Sequence, residues 1–157
     1  MRKFFYLFII VYVILSIFFT YKAVAGENDE VKVMFAGFSH HIGAPDYADH
    51  NEKHNLVGIS YNDTEIFFMK NSFHNDSVGI AHNFTYSYSQ YVEFGFRVGA
   101  ASGYDIQGIY NIGGIAPFVQ PNVTVKYGNL GVELGYLPQL SHSTPYGAAT
   151  LTFNWSL

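Results

Sequence analysis

The chain alternates apolar and polar residues most clearly at its end. From Thr150 to Leu157, the residues Leu151, Phe153, Trp155 and Leu157 are interleaved with Thr150, Thr152, Asn154 and Ser156. A period of two sends the first set to one face of a β-strand and the second to the other. The rhythm recurs upstream. Val92, Phe94, Phe96 and Val98 alternate with Glu93, Gly95, Arg97 and Gly99; Val123, Val125 and Tyr127 alternate with Asn122, Thr124 and Lys126; Leu130, Val132, Leu134 and Tyr136 alternate with Gly131, Glu133 and Gly135. The pattern and its turn residues predict strands near 31–41, 55–62, 64–72, 77–88, 90–102, 116–127, 130–138 and 146–157. Three joins are tight, at Asn62-Asp63, Ser89 and Gly128-Asn129, and four are longer, at 42–54, 73–76, 103–115 and 139–145.

Short and long joins alternate strictly. That is the pattern of an all-β, eight-stranded antiparallel up-and-down transmembrane barrel, with short turns on one side and long loops on the other. An even strand count then puts both ends of the barrel on the periplasmic side. A soluble sandwich would also alternate, but composition separates the two. Charged residues make up 13% of the chain and aromatic residues 18%, where ordinary soluble domains carry about 25% charged residues. After the first stretch no apolar run reaches the ~20 residues of a spanning helix. The apolar positions therefore suit a lipid-facing wall, and Glu93, Arg97, Lys126 and Glu133 suit a polar interior in which they pair.

The first 25 residues read as a signal peptide. Arg2 and Lys3 precede an apolar run from Phe4 to Phe19, and Ala23-Val24-Ala25 supplies the small-x-small cleavage pattern. An uncleaved anchor is the competing reading, and either one exports the chain. Residues 26–157 then form one outer-membrane domain. Loss of Arg2, Lys3 and Lys22 leaves five basic residues against twelve acidic ones, a net charge of −7, which argues against nucleic acid as a partner. There is no cysteine, hence neither a disulfide framework nor a thiolate metal site.

Strand direction brings some reactive side chains to the long-loop rim. His40 and His41 end the first strand, Asn71 and Ser72 end the third, and Asp46, Asp49, His50, Glu52 and His54 lie in the first long loop. A serine and a histidine meeting there could act as nucleophile and general base. Histidines and carboxylates in this loop also raise a metal reading, but their spacing fits no closed structural site, and a solvated loop explains them. No metal or other cofactor is expected.

At these residues the sequence resembles the lipid A palmitoyltransferases, a family of eight-stranded outer-membrane acyltransferases. The likeness runs from about Phe38 to Leu157. It rests on His40/His41 followed by Asn51-Glu52, on Lys70-Asn71-Ser72-Phe73, and on the stretch holding Pro117, Pro121, Tyr127-Gly128, Tyr136 and Pro138. The resemblance implies transfer of an acyl chain from a phospholipid to lipid A by a monomer that the barrel-insertion machinery places in the bacterial outer membrane. It makes Ser72 the nucleophile or hydroxyl participant and His41 or His40 the base. It puts the family's aspartate at Asn71 and lipid-access openings beside Pro117, Pro121 and Pro138.

Strand parity counted from Val31, Val33 and Phe35 favours His40 inside, whereas the Ser39-x-His41 spacing, similar to other small barrels, favours His41. The second is preferred. Three departures accompany the likeness. Asn71 is an amide, which could orient the imidazole only through its carbonyl oxygen unless Asp76, Asp49 or Glu52 supplies a charge. The family's amphipathic helix has no room between Gly26 and Glu30. Asn83 stands where the family has a small residue, so this buried amide needs a partner. The alternative function is a non-catalytic barrel, a surface-remodelling or adhesive scaffold carried by a phage or prophage. A small pore is a third reading, disfavoured because eight strands leave an interior filled by side chains.

Overall fold

A computed structural model describes residues 30–45, 47–105, 109–139 and 146–157. Residues 1–29, which include the segment expected to be a signal peptide, Asp46, residues 106–108 and residues 140–145 lie outside them. Eight antiparallel strands close in sequence order: β1 (Val31–Ile42), β2 (Val57–Tyr61), β3 (Thr64–Lys70), β4 (Asp76–Ser87), β5 (Val92–Ala101), β6 (Ala116–Tyr127), β7 (Leu130–Leu137) and β8 (Gly147–Ser156). The predicted all-β barrel is therefore the observed one. Among the described residues every regular element is a strand. Closure between β1 and β8 removes both sheet edges, which would otherwise expose unpaired backbone groups.

Side-chain direction follows the alternation. On the outside, Phe68, Ile80, Phe84, Phe94, Phe96, Val125, Leu134 and Trp155 stand exposed. On the inside, Glu65, Asn83, Glu93, Arg97, Gln120, Asn122, Thr124, Glu133 and Thr152 are buried. The four interior charges read from the sequence do pair, though with a fifth partner, Glu65. Arg97 donates from both terminal nitrogens to the two oxygens of Glu133, at 2.7 and 2.8 Å, and from Nη2 to Glu65 Oε1 at 2.9 Å. Lys126 pairs with Glu93. The buried amide of Asn83 finds its partner over Gly95 of the intervening β5, accepting from Asn122 Nδ2 at 3.0 Å. Above this polar layer Phe67 fills the barrel. A Cβ on Gly79 would come within 2.1 Å of its ring, so only glycine lets the strand pass it.

The Asn62-Asp63 turn has positive φ at both residues, the conformation of a two-residue hairpin that matches strand twist. The join at Ser89 spans residues 88–91 rather than one residue, with Ser89 Oγ accepting from the amides of Tyr91 and Val92. The second strand is also shorter than the pattern suggested, because Asn55 sits at φ 47°, in the left-handed region that breaks extension.

One irregularity decides the site. On β1, Phe35 pairs with Phe153 and Phe38 with Leu151, so β1 carries one residue more than β8 between these rungs. The extra residue is at Ala36, φ 54°. Such a bulge reverses which parity faces inward. Below it Lys32 and Met34 share the inner face; above it Gly37, Ser39 and His41 do. Parity counted from Val31 therefore fails, and His40, not His41, is the residue that points outward.

Candidate functional site

The long-loop rim is tied together by Asn51. Its amide nitrogen donates to Ser72 O at 2.8 Å, and its side-chain nitrogen donates to the carbonyls of Lys70 and Asn71 at 3.1 Å each. These bonds fasten the first long loop to the β3–β4 connection. They bring Ser72 to the end of β1, where His41 Nε2 lies 3.0 Å from Ser72 Oγ. The residues paired in the sequence reading thus meet across 31 positions of chain. His50 stacks on the His41 ring at 4.2 Å between centroids and 19° between planes, and Phe73 and Tyr146 meet His50 edge-on. An open recess of about 430 Å³ lies beside them, lined in part by Pro45, Ala48, His50 and His74.

The other proposed members do not join this contact, although His40 and Glu52 also line the recess. His40 is largely exposed and pairs with Glu52 at 3.1 Å on the outer face. Asn71, the one fully buried large side chain among the described residues, does not orient the imidazole. Its oxygen accepts from the amides of Phe73 and Asn75, both at 3.0 Å, and its nitrogen donates to Gly103 O at 2.8 Å. The residue that sequence placed as the imidazole's partner is instead the post around which the β3–β4 turn is wound. None of the substitute carboxylates reaches His41 either: Asp49 pairs with His74, Asp76 with Lys70 and Glu52 with His40. His41 Nδ1 is buried without a hydrogen-bond partner among the described residues. No group of three metal-ligating side chains occurs among them.

A second serine–histidine pair, not singled out from the sequence, lies just below. His54 Nδ1 is 2.7 Å from Lys70 O, and its Nε2 is 2.7 Å from Ser39 Oγ. A carbonyl only accepts, so Nδ1 carries the hydrogen and Nε2 is left as an acceptor for the serine hydroxyl. Burial disfavours the imidazolium and holds the His54 pKa below its ordinary value, against opposing contributions from the Lys70 carbonyl and the Glu52 carboxylate. In the β5–β6 connection Tyr104 packs edge-on to Phe73, and burial raises its hydroxyl pKa to about 12.

The prolines mark a break in the wall. Lys126 N donates to Tyr91 O, so even-numbered residues of β6 present their amides to β5 and odd-numbered residues face β7. Pro117 and Pro121 are odd, and each removes a donor on the β7 side. The β6–β7 ladder accordingly runs only from Tyr127↔Leu130 to Asn122↔Gly135, while β6 stays paired with β5 up to Ala116. Above that rung the lips are Pro117 and Pro121 on one side and Tyr136, Leu137 and Pro138 on the other. Ala148 of β8 pairs with His41 on one flank and Leu137 on the other, so the opening and His41 lie at one height.

No family model matches this chain, and no curated protein matches it by sequence. Among solved structures it is similar to a de novo designed transmembrane β-barrel, with a TM-score of 0.58 at 11% identity over 82% of this chain and 95% of that one. That likeness concerns the fold.

Proposed function

We propose that this chain is an outer-membrane barrel that moves an acyl chain from a phospholipid to lipid A, as the lipid A palmitoyltransferases do. The observation that carries the reading is the 3.0 Å contact between His41 and Ser72, on the rim with the long loops and level with a proline-flanked gap in the wall. The apolar exterior fits hydrocarbon, and a gap opening sideways into hydrocarbon admits a lipid without drawing it through water. Ser72 gives its proton to His41 Nε2 as its oxygen attacks the ester carbonyl. The imidazolium returns that proton to the departing lysophospholipid oxygen. A hydroxyl of lipid A then attacks the acyl-serine and gives its proton to His41, which passes it to Ser72 Oγ as the acyl–Oγ bond breaks.

A second reading, a non-catalytic surface barrel, is favoured by one observation: His41 Nδ1 has no carboxylate, and Asn71 is committed to its own turn. The two readings separate in one experiment. Purified barrel in mixed micelles receives a phospholipid with a radiolabelled acyl chain together with lipid A. Acyl transfer predicts labelled lipid A, and a loss of about a hundredfold or more in both His41→Ala and Ser72→Ala. Unlabelled lipid A throughout, together with unaltered lipid A mass in expressing cells, refutes transfer and leaves the scaffold. Equal transfer by Ser72→Ala removes Ser72 from the chemistry.

A further inference from the structure

We propose that Ser39 and His54 form a second nucleophile and base, two rungs below His41 on β1, which cleaves carboxylic esters of acyl chains through an acyl-serine at Ser39. Of the two serine–histidine pairs, this one has its imidazole fixed at both ends. The Lys70 carbonyl holds the Nδ1 hydrogen at 2.7 Å and the Ser39 hydroxyl meets Nε2 at 2.7 Å. In a nucleophilic triad the third group serves to fix the ring's tautomer and direction, and the Lys70 carbonyl does that for His54. No such group holds His41 Nδ1. Burial shifts the His54 pKa down and so favours the neutral ring, the form that can accept a proton.

The position suits an ester on a chain. Ser39 and His54 are 8% and 7% exposed, so bulk water reaches them poorly. They are nevertheless level with the lower lip of the wall gap. Ser39 pairs with Thr150, and Thr150 pairs with Gly135, the last residue of β7 joined to β6. At this height Gln120 donates to Thr150 at 2.8 Å, and the Arg97 cluster lies below, so an ester entering through the gap meets the pair before the buried charges. The backbone beneath is equally placed by the pair: Gly37 packs so closely under Leu56 and His54 that a Cβ there would lie 2.9 Å from Leu56 Cβ. The bulge at Ala36 is what turns Ser39 inward to reach His54.

The chemistry balances without a cofactor. Ser39 Oγ bonds to the ester carbonyl carbon while its proton moves to His54 Nε2. The carbon–oxygen bond to the alcohol breaks, and that alcohol leaves with the proton from His54. A water molecule then attacks the acyl-serine and gives a proton to His54; the acyl–Oγ bond breaks, Ser39 Oγ takes that proton back, and a carboxylic acid is released.

The test uses an alkyl fluorophosphonate, which a nucleophilic serine opens by displacing fluoride, on the purified full chain in detergent. Peptide mass mapping of the wild type is expected to place the alkylphosphonyl group on Ser39. Ser39→Ala is expected to lose that label, and His54→Gln to acquire it about a hundredfold more slowly, with far-UV circular dichroism checking that each variant remains a barrel. An unmodified Ser39, a label confined to Ser72, or equal labelling of His54→Gln overturns the proposal and leaves the imidazole a clip between loop and strands. Because the probe contains no lipid A, this outcome is separate from that of the transfer assay.

Discussion

Replacing Arg97 by methionine removes the one cation that faces two buried carboxylates in mid-barrel. Glu133 loses two charge-assisted hydrogen bonds, at 2.7 and 2.8 Å, and Glu65 loses its bond at 2.9 Å. Both side chains are about 5% exposed, so water does not take over the lost contacts. Removing one partner of a buried ionic cluster typically costs about 3–5 kcal/mol, whereas an apolar or neutral replacement of the whole cluster costs far less. Arg97→Met should therefore lose about 4 kcal/mol, and Arg97→Met with Glu65→Gln and Glu133→Gln should recover all but about 1–2 kcal/mol of it. Urea unfolding from fluid phosphatidylcholine vesicles measures this, because the chain has one tryptophan and Trp155 stands on the outer face of β8. With a slope of about 1–3 kcal/mol per molar urea, the single variant's midpoint should fall by more than about 1 M at unchanged slope. A fall under about 0.5 M, or a triple variant weaker than the single one, would refute the assignment of the cluster as a desolvated, interdependent set.

Three further outcomes follow from the rim and the bulge. Asn71→Asp restores the carboxylate of the resembled family, yet it should not raise acyl transfer. It sets a carboxylate oxygen against Gly103 O and costs about 1–3 kcal/mol; a more active, equally stable variant would contradict the turn-winding role. His54 resists protonation when folded but not when unfolded, so above its ordinary pKa of 6.5 it imposes no penalty. As pH falls from about 6.5 towards its lower folded value, its contribution should be lost at up to about 1.4 kcal/mol per pH unit. The stability difference between wild type and His54→Gln should show that slope, and a pH-independent difference would sink it. At Ala36, whose φ is 54°, glycine should be tolerated and valine should cost at least about 1 kcal/mol by thermal unfolding. Equal stability of the two variants would mean the bulge relaxes away.

The barrel was legible in the sequence because alternation and turn residues are local. β5 to β8 could be read face by face. β3 could not, because Phe67 is an apolar residue on the inner face and masks the period that would have exposed Glu65 as Arg97's partner. The bulge defeated parity on β1, since one added residue leaves no compositional trace at Ala36. Ser72 and His41 were found because both end strands that run to one rim. Asn71 was misread for the opposite reason. Its neighbours Ser72, Phe73, His74 and Asn75 form a turn, and an asparagine opening a turn binds backbone amides before it binds a distant ring. Ser39 and His54 were passed over as a pair because only the folded loop, running back along β1 through Ser39 N to Glu52 O and His54 N to Gly37 O, sets them side by side.

The Arg97 cluster, with Phe67 above it and the Lys126–Glu93 pair below, makes a septum across the lumen. Ions arriving at either end of the barrel meet interlocked, paired side chains that fill its interior. A membrane can therefore hold such a barrel without gaining an aqueous path through its centre.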